Sequence, residues 1–269
     1  MNRIRHYINF NASSGAHILK AKYQKCFSAA ICNYNSTNIS SFFLREDTMT
    51  YVLGGEKYMF VNNQEFYLSE GDLLYIPKNT VIFTHIATTT HNFESLNILL
   101  KAQQDILGNN TRLFKGAIAL KNEVDSFLKT GFSAVTQTSQ NEALRQLLSF
   151  LENLTLNETT RRLIYPEENF VISDVVIDSI FKPMTLDLLA AESYMSVSTF
   201  KRKFKRYFEE PPQRWIRGVR LQAAYFYLRM QLYKVSDVAS FVGFENLAHF
   251  TYAFKKNFNQ LPSSVAKGK

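Results

Sequence analysis

Residues 198–212, STFKRKFKRYFEEPP, decide how the last third of this 269-residue chain is read. Phe200, Phe204 and Phe208 recur at four-residue spacing, which places them on one stripe of a helix. Lys201, Arg202, Lys203, Lys205 and Arg206 fall off that stripe, and two prolines end the run. One basic helix of this kind reads as a solvated face. The pattern, however, occurs twice. Phe200, Phe204, Phe208 and Pro212 return 50 residues later as Phe250, Phe254, Phe258 and Pro262, while Leu186, Leu189 and Ala190 return at an offset of 49 as Val235, Val238 and Ala239. The one-residue slip falls between two helices, where a turn tolerates an insertion. Each unit therefore reads as a short helix with a small inward alanine, a turn, and a second helix glued to the first by phenylalanines. That is a helix-turn-helix.

Charge follows the repeat. From Lys182 onward there are 15 Lys and Arg against 6 Asp and Glu, leaving 16 against 17 upstream, so the whole formal excess of +8 sits in the last third. Such asymmetry points to a polyanion as the partner of that third and to a different task for the rest. Duplicated basic second helices suit insertion into successive major grooves of double-stranded DNA, about 34 Å apart. Residues 214–230, RWIRGVRLQAAYFYLRM, read as one helix joining the units, with Ile216, Val219, Ala223, Ala224, Tyr227 and Leu228 on its apolar side.

Upstream, residues 39–86 read as short strands rich in β-branched and aromatic residues. They are punctuated at Gly54-Gly55, Asn62-Asn63, Ser69-Glu70-Gly71 and Pro77-Lys78-Asn79, which indicates a β-sandwich or barrel. Beyond Asn92 the period changes, and Leu144, Leu147, Leu148, Leu151 and Leu154 predict an amphipathic helix over 141–154. That stripe either packs on its own domain or joins two copies through Leu144, Leu147, Leu148 and Leu151. The expected class is α+β: a β-barrel or jelly roll with helices over 1–156, a polar linker over 157–172, and an all-α tandem helix-turn-helix over 173–269. If the barrel is hollow, Tyr51, Tyr58, Phe60, Phe66, Tyr75, Phe83 and His85 line a ligand pocket; the alternative is that these aromatics fill it.

The last third resembles the DNA-binding domain of AraC/XylS transcription regulators. LLAAESYMSVSTFKRKFKRYFEEPPQRWI, the Arg220-Leu221-x-x-Ala224 pattern and VSDVASFVGFENLAHFTYAFKKNFNQLP carry the resemblance over about 90 residues. Two positions depart from the family pattern: its glycine after the last aromatic of each unit is Glu209 in the first and Asn259 in the second. The resemblance implies base-facing roles for Ser198, Lys201 and Arg202 in the first unit and Leu247, Ala248, Thr251 and Tyr252 in the second. Lys205, Arg206, Lys255 and Lys256 complete the expected DNA-binding set, since lysine and arginine can pair with phosphates or guanine edges. The first set suits hydrogen-bond readout; the second suits phosphate anchoring and contacts to thymine methyls. More loosely, YVLGGEKYMFVNNQEFYLSEGDLLYIPKNTVIFTHI resembles the cupin-like sensor domain of the same family. That resemblance implies a small-molecule effector or regulatory protein as signal, a homodimer, and RNA polymerase as a partner of an activator at a promoter.

His85 and His91 are too few for a metal site that wants three or four ligands, so neither metal nor cofactor is expected. No nucleophile motif, phosphate loop or dinucleotide fingerprint is present, which argues against an enzyme. Cys26 and Cys32, without a recognisable signal peptide or membrane span, predict a reducing cytoplasm. The competing readings are a cupin-type binding protein and a basic nucleic-acid or membrane-surface binder without promoter specificity.

Overall fold

The computed structural model describes residues 5–7, 17–23, 27–87, 92–100, 110–116, 118–133 and 170–268. It divides the chain into two compact units, His6–Val61 with Glu65–Ile164, and Tyr165–Lys269 with Met1–Arg5 and Asn62–Gln64.

Eleven described strands form the first unit's sheets: β1 (Arg5–Tyr7), β2 (His17–Tyr23), β3 (Phe27–Tyr34), β4 (Asn38–Leu44), β5 (Asp47–Gly54), β6 (Lys57–Val61), β7 (Gln64–Leu68), β8 (Leu73–Ile76), β9 (Thr80–Ile86), β10 (Phe93–Leu100) and β11 (Arg112–Phe114). One sheet runs β1-β4-β9-β6-β7 and the other β11-β8-β5-β10-β3-β2. Strict alternation sorts the side chains into layers. Ala30, Cys32, Val52, Leu74, Ile76, Phe93 and Leu99 from the second sheet meet Phe42, Leu44, Met59, Val61 and Ile82 from the first, forming the inter-sheet core. The opposite face of the second sheet carries Phe27, Met49, Tyr51, Leu73, Tyr75, Leu96 and Ile98 under helix α1 (Ile118–Ser133), which contributes Val124 and Phe127. This is the two-sheet β architecture expected, and with the helical second unit it makes an α+β chain.

Three expectations need correction. Strands begin well before Ile39, and 93–100 is a strand at the centre of the second sheet rather than the onset of helical periodicity. Phe93, Ser95 and Leu99 face one core and Leu96, Ile98 and Leu100 the other, so both faces are buried and no polar alternation survives to be read. The expected ligand aromatics also do not converge. Tyr51 and Tyr75 lie under α1, Phe66 lies between the sheets, and Tyr58, Phe60, Phe83 and His85 occupy the first sheet's other face, paired as Tyr58↔His85 and Phe60↔Phe83. His91 and the 141–154 helix with Leu144, Leu147, Leu148 and Leu151 lie outside the described residues.

The Asn62-Asn63 turn links β6 to β7 with φ of 48° and 63°, the left-handed pair that a two-residue hairpin needs and that asparagine tolerates. The inter-sheet core holds a polar thread. Thr50 Oγ1 donates to Asn97 Oδ1 at 2.9 Å, and Asn97 Nδ2 donates to Ser95 Oγ at 3.1 Å. Lys57, 8% exposed, enters the same layer with its ammonium 5.4 Å from the centre of the Phe93 ring. Burial drags its pKa down to about 8, and burial lifts the neighbouring Cys32 thiol to about 11. A lysine held below its unfolded value binds fewer protons folded than unfolded, so stability rises with pH through the window from about 8 to 10.5. Cys32 acts oppositely, but only above about 9. Urea unfolding of the first unit's transition should therefore show about 1 kcal/mol more stability at pH 9 than at pH 8. Lys57→Met should abolish that slope and raise stability at pH 7; a slope that survives the substitution contradicts the assignment.

Candidate nucleic-acid interface

The second unit is helical: α2 (Phe170–Ser179), α3 (Leu186–Glu192), α4 (Val197–Phe208), α5 (Pro212–Arg229), α6 (Val235–Phe241), α7 (Leu247–Phe258) and α8 (Pro262–Ala266). The repeat in the sequence is a repeat in space. α3 and α6 each span 7 residues, and α4 and α7 each span 12. Leu189 and Ala190 are buried in one unit, Val238 and Ala239 in the other. Ser196 caps α4 by accepting from the Thr199 N–H, and Asn246 caps α7 by accepting from the His249 N–H. Glu209 and Asn259 end these helices in the left-handed region, at φ 62° and 55°. The conformation that glycine usually serves is therefore kept without glycine.

The phenylalanine stripes do what their spacing implies. Phe200, Phe204, Phe250 and Phe254 are fully buried. The linker helix α5 grips both stripes: Trp215 packs 4.3 Å from Phe208 and edge-on to Phe204, and Tyr225 packs 4.7 Å from Phe258. Sequence reasoning missed both anchors, although Trp215 is the only tryptophan in the chain. Between them, Arg220 donates through Nε to the Ile180 carbonyl (2.6 Å), through one terminal nitrogen to Lys182 (2.6 Å) and through the other to Gly243 (2.9 Å). One guanidinium thus ties the exit of α2, the middle of α5 and the turn between α6 and α7. Burial lowers its pKa from the free value, but it stays charged.

That contact explains a difference between the two turns. Tyr194 (φ 57°) and Gly243 (φ 82°) stand at equivalent places and close equivalent bonds, Met195 N–H to Ala190 and Phe244 N–H to Ala239. Tyr194 is free to be a tyrosine. A Cβ on Gly243 would stand 2.9 Å from the Arg220 guanidinium carbon and 3.1 Å from the Phe181 carbonyl oxygen.

The surface left over is the candidate interface. Ser198, Lys201, Arg202, Lys205 and Arg206 are all exposed along α4. On α7, Leu247 and Tyr252 are 48% and 69% exposed, Ala248, Lys255 and Lys256 are exposed, and Thr251 spends its hydroxyl proton on the Leu247 carbonyl at 2.8 Å. A cleft of about 710 Å³ runs between the units, bordered by Val197 and Lys201 from α4, Asn246 and His249 at the start of α7, and Gln213, Ile216 and Arg217 from α5. The N-terminal halves of both second helices therefore open on one cleft.

Residues 189–268 match the helix-turn-helix domain family. The C-terminal domain is of AraC/XylS type. The HTH-type transcriptional activator RhaS of Escherichia coli O139:H28 is 31% identical over 83 residues, covering 31% of this chain and 30% of RhaS. An uncharacterized HTH-type transcriptional regulator of Haemophilus influenzae is 22% identical over 252 residues, 79% of this chain and 83% of that protein. The crystal structure of an apo ToxT variant from Vibrio cholerae strain SCE256 superposes over 91% of this chain and 98% of its own, with TM-score 0.47 at 14% identity. The relatives are transcriptional regulators, and this chain carries the AraC/XylS helix-turn-helix DNA-binding domain. No described helix is long and apolar enough to cross a membrane.

Within this domain Gly243→Ala should cost at least about 2 kcal/mol, because it combines left-handed strain with displacement of Arg220. The Arg220→Ala and Gly243→Ala pair should cost less than the sum of the two single changes, since the clash and the clasp are one contact. Thermal or urea unfolding of the four variants measures this; strict additivity contradicts the coupling.

Proposed function

We propose that the protein is a sequence-selective transcription activator in which α4 supplies most of the base discrimination and α7 supplies hold. The observation that carries this is the contrast between the two exposed faces. Lys201 and Arg202 present exposed donors suited to guanine edges and phosphates, with the Ser198 hydroxyl beside them bonded to that of Ser196 at 3.1 Å, whereas Leu247, Ala248 and Tyr252 present apolar surface and Thr251 has already used its donor. Lys205, Arg206, Lys255 and Lys256 add phosphate contacts at the ends of both helices. RNA polymerase is the partner that activation requires, and the homodimer is assigned to the first unit.

The first unit senses the signal. Its described cavity, about 330 Å³, is bordered by Tyr58, Tyr67, His85, Ser69 and Lys115, so two of the expected ligand residues, Tyr58 and His85, come together there. The Tyr58 and Tyr67 rings stand 5.0 Å apart, and half-burial holds the His85 pKa below its ordinary value, which keeps the imidazole neutral at pH 7. Lys115 bridges the Tyr67 carbonyl and Asp72, each at 2.7 Å. An effector that stacks on tyrosine and bonds a neutral imidazole fits this site.

A site selection from random duplexes tests the reading. The parent chain should prefer its selected site over bulk DNA by ~10³ or more at fixed salt. Arg202→Ala should relax the preference at one or two base pairs, by about 1–3 kcal/mol each, while Tyr252→Ala should leave the selected sequence unchanged and weaken binding. The reverse pattern contradicts the division of labour, and no preference at all favours the nonspecific binder.

A further inference from the structure

Arg217 is left without a task by the two readers. Gln213, Ile216, Arg217 and Arg220 fall on one face of α5, at helical spacing, and that face floors the cleft between the readers. Arg220 is spent on three carbonyls. Arg217 is exposed and has neither a hydrogen bond nor an ion pair among the described residues, whereas the nearby Arg214 is paired with Glu210 at 3.5 Å. An unpaired arginine on the floor of a cleft whose walls are two DNA-reading helices faces whatever the DNA places between its major grooves.

What the DNA places there is fixed by its geometry. Two helices in successive major grooves leave a minor groove and its flanking sugar-phosphate strands facing the protein between them. We propose that the cleft seats this intervening backbone and that Arg217 anchors a phosphate at its centre, with Lys201 and His249 on the walls. Asp187 and Glu245 also border the cleft, so its summed charge is small and a free anion gains little there. A phosphate delivered by a duplex already held at both readers arrives at high effective concentration and pairs with the guanidinium. The linker helix then contributes affinity and register without reading sequence.

This rests on the DNA reading above, and the experiment separates the two. Full-length parent, Arg217→Ala and Arg217→Lys are titrated with the selected duplex and a scrambled one between 50 and 200 mM salt. A second duplex series carries methylphosphonate at single central phosphates. Arg217→Ala should weaken both duplexes alike, by about fivefold, and reduce the slope of log affinity against log salt by about 0.9, with Arg217→Lys restoring the slope. One central methylphosphonate should weaken the parent but not the Arg217→Ala variant. An unchanged slope, or a methylphosphonate penalty equal in both proteins, overturns the inference while leaving the DNA reading intact. A parent chain that binds no duplex overturns both.

Discussion

The geometry of the DNA-binding domain depends on one guanidinium. Two helix-turn-helix units joined by a single helix have no inherent reason to keep their second helices on a common side. Trp215 and Tyr225 fix each unit to α5 by packing, which resists separation but tolerates rocking. Arg220 adds direction. Its planar fork holds carbonyls from Ile180, Lys182 and Gly243 in one plane, so the exit of α2 and the turn of the second unit are positioned against the same point of the linker. Hydrogen bonds from a charged donor in a half-buried place are among the stronger ones a surface domain makes. The glycine at 243 follows from this, because the guanidinium fills the space a side chain would need.

Much of the helical unit was legible in the sequence because its signal is a repeat. The Phe stripes, the inward Ala190 and Ala239, and Pro212 and Pro262 at the starts of α5 and α8 recur as pairs, and each pair has the same structural meaning. Glu209 and Asn259, which replace the usual glycine, adopt its backbone conformation. What could not be read was tertiary. Tyr225 and Arg220 act through partners more than twenty residues away, and Trp215 reaches Phe204 and Phe208 across the break between two helices, so no local period announces them. In the first unit the turns at Gly54-Gly55 and Asn62-Asn63 were visible, but β3 and β10 are buried on both faces and lose the alternation that marks a strand. The same loss scattered the expected ligand aromatics: period two assigns a residue to a face of its strand, but not which of three layers that face meets.

The two readers are equal in backbone and unequal in chemistry. Their lengths, caps and buried stripes coincide, while their exposed faces run from strongly basic on α4 to a mixture of apolar residues and two lysines on α7. The shared frame holds two helices of equal length, and the outward positions differ without disturbing it, since they lie outside the buried stripes. The first unit shows a related economy. Lys57 is tolerated in the inter-sheet core without an acidic partner among the described residues, at a cost that its lowered pKa records, beside the Thr50–Asn97–Ser95 hydrogen bonds of the same layer.

The central claim is that both readers engage one side of a DNA duplex, one helical turn apart. Methylation interference on the selected site tests it most directly, because major-groove contacts are scored base by base. The account predicts two clusters of interfering bases whose centres lie about 10 base pairs apart on the same face, the α4 cluster rich in guanines and the α7 cluster weaker. A single cluster, or two clusters separated by half a turn so that they face opposite sides, would contradict it.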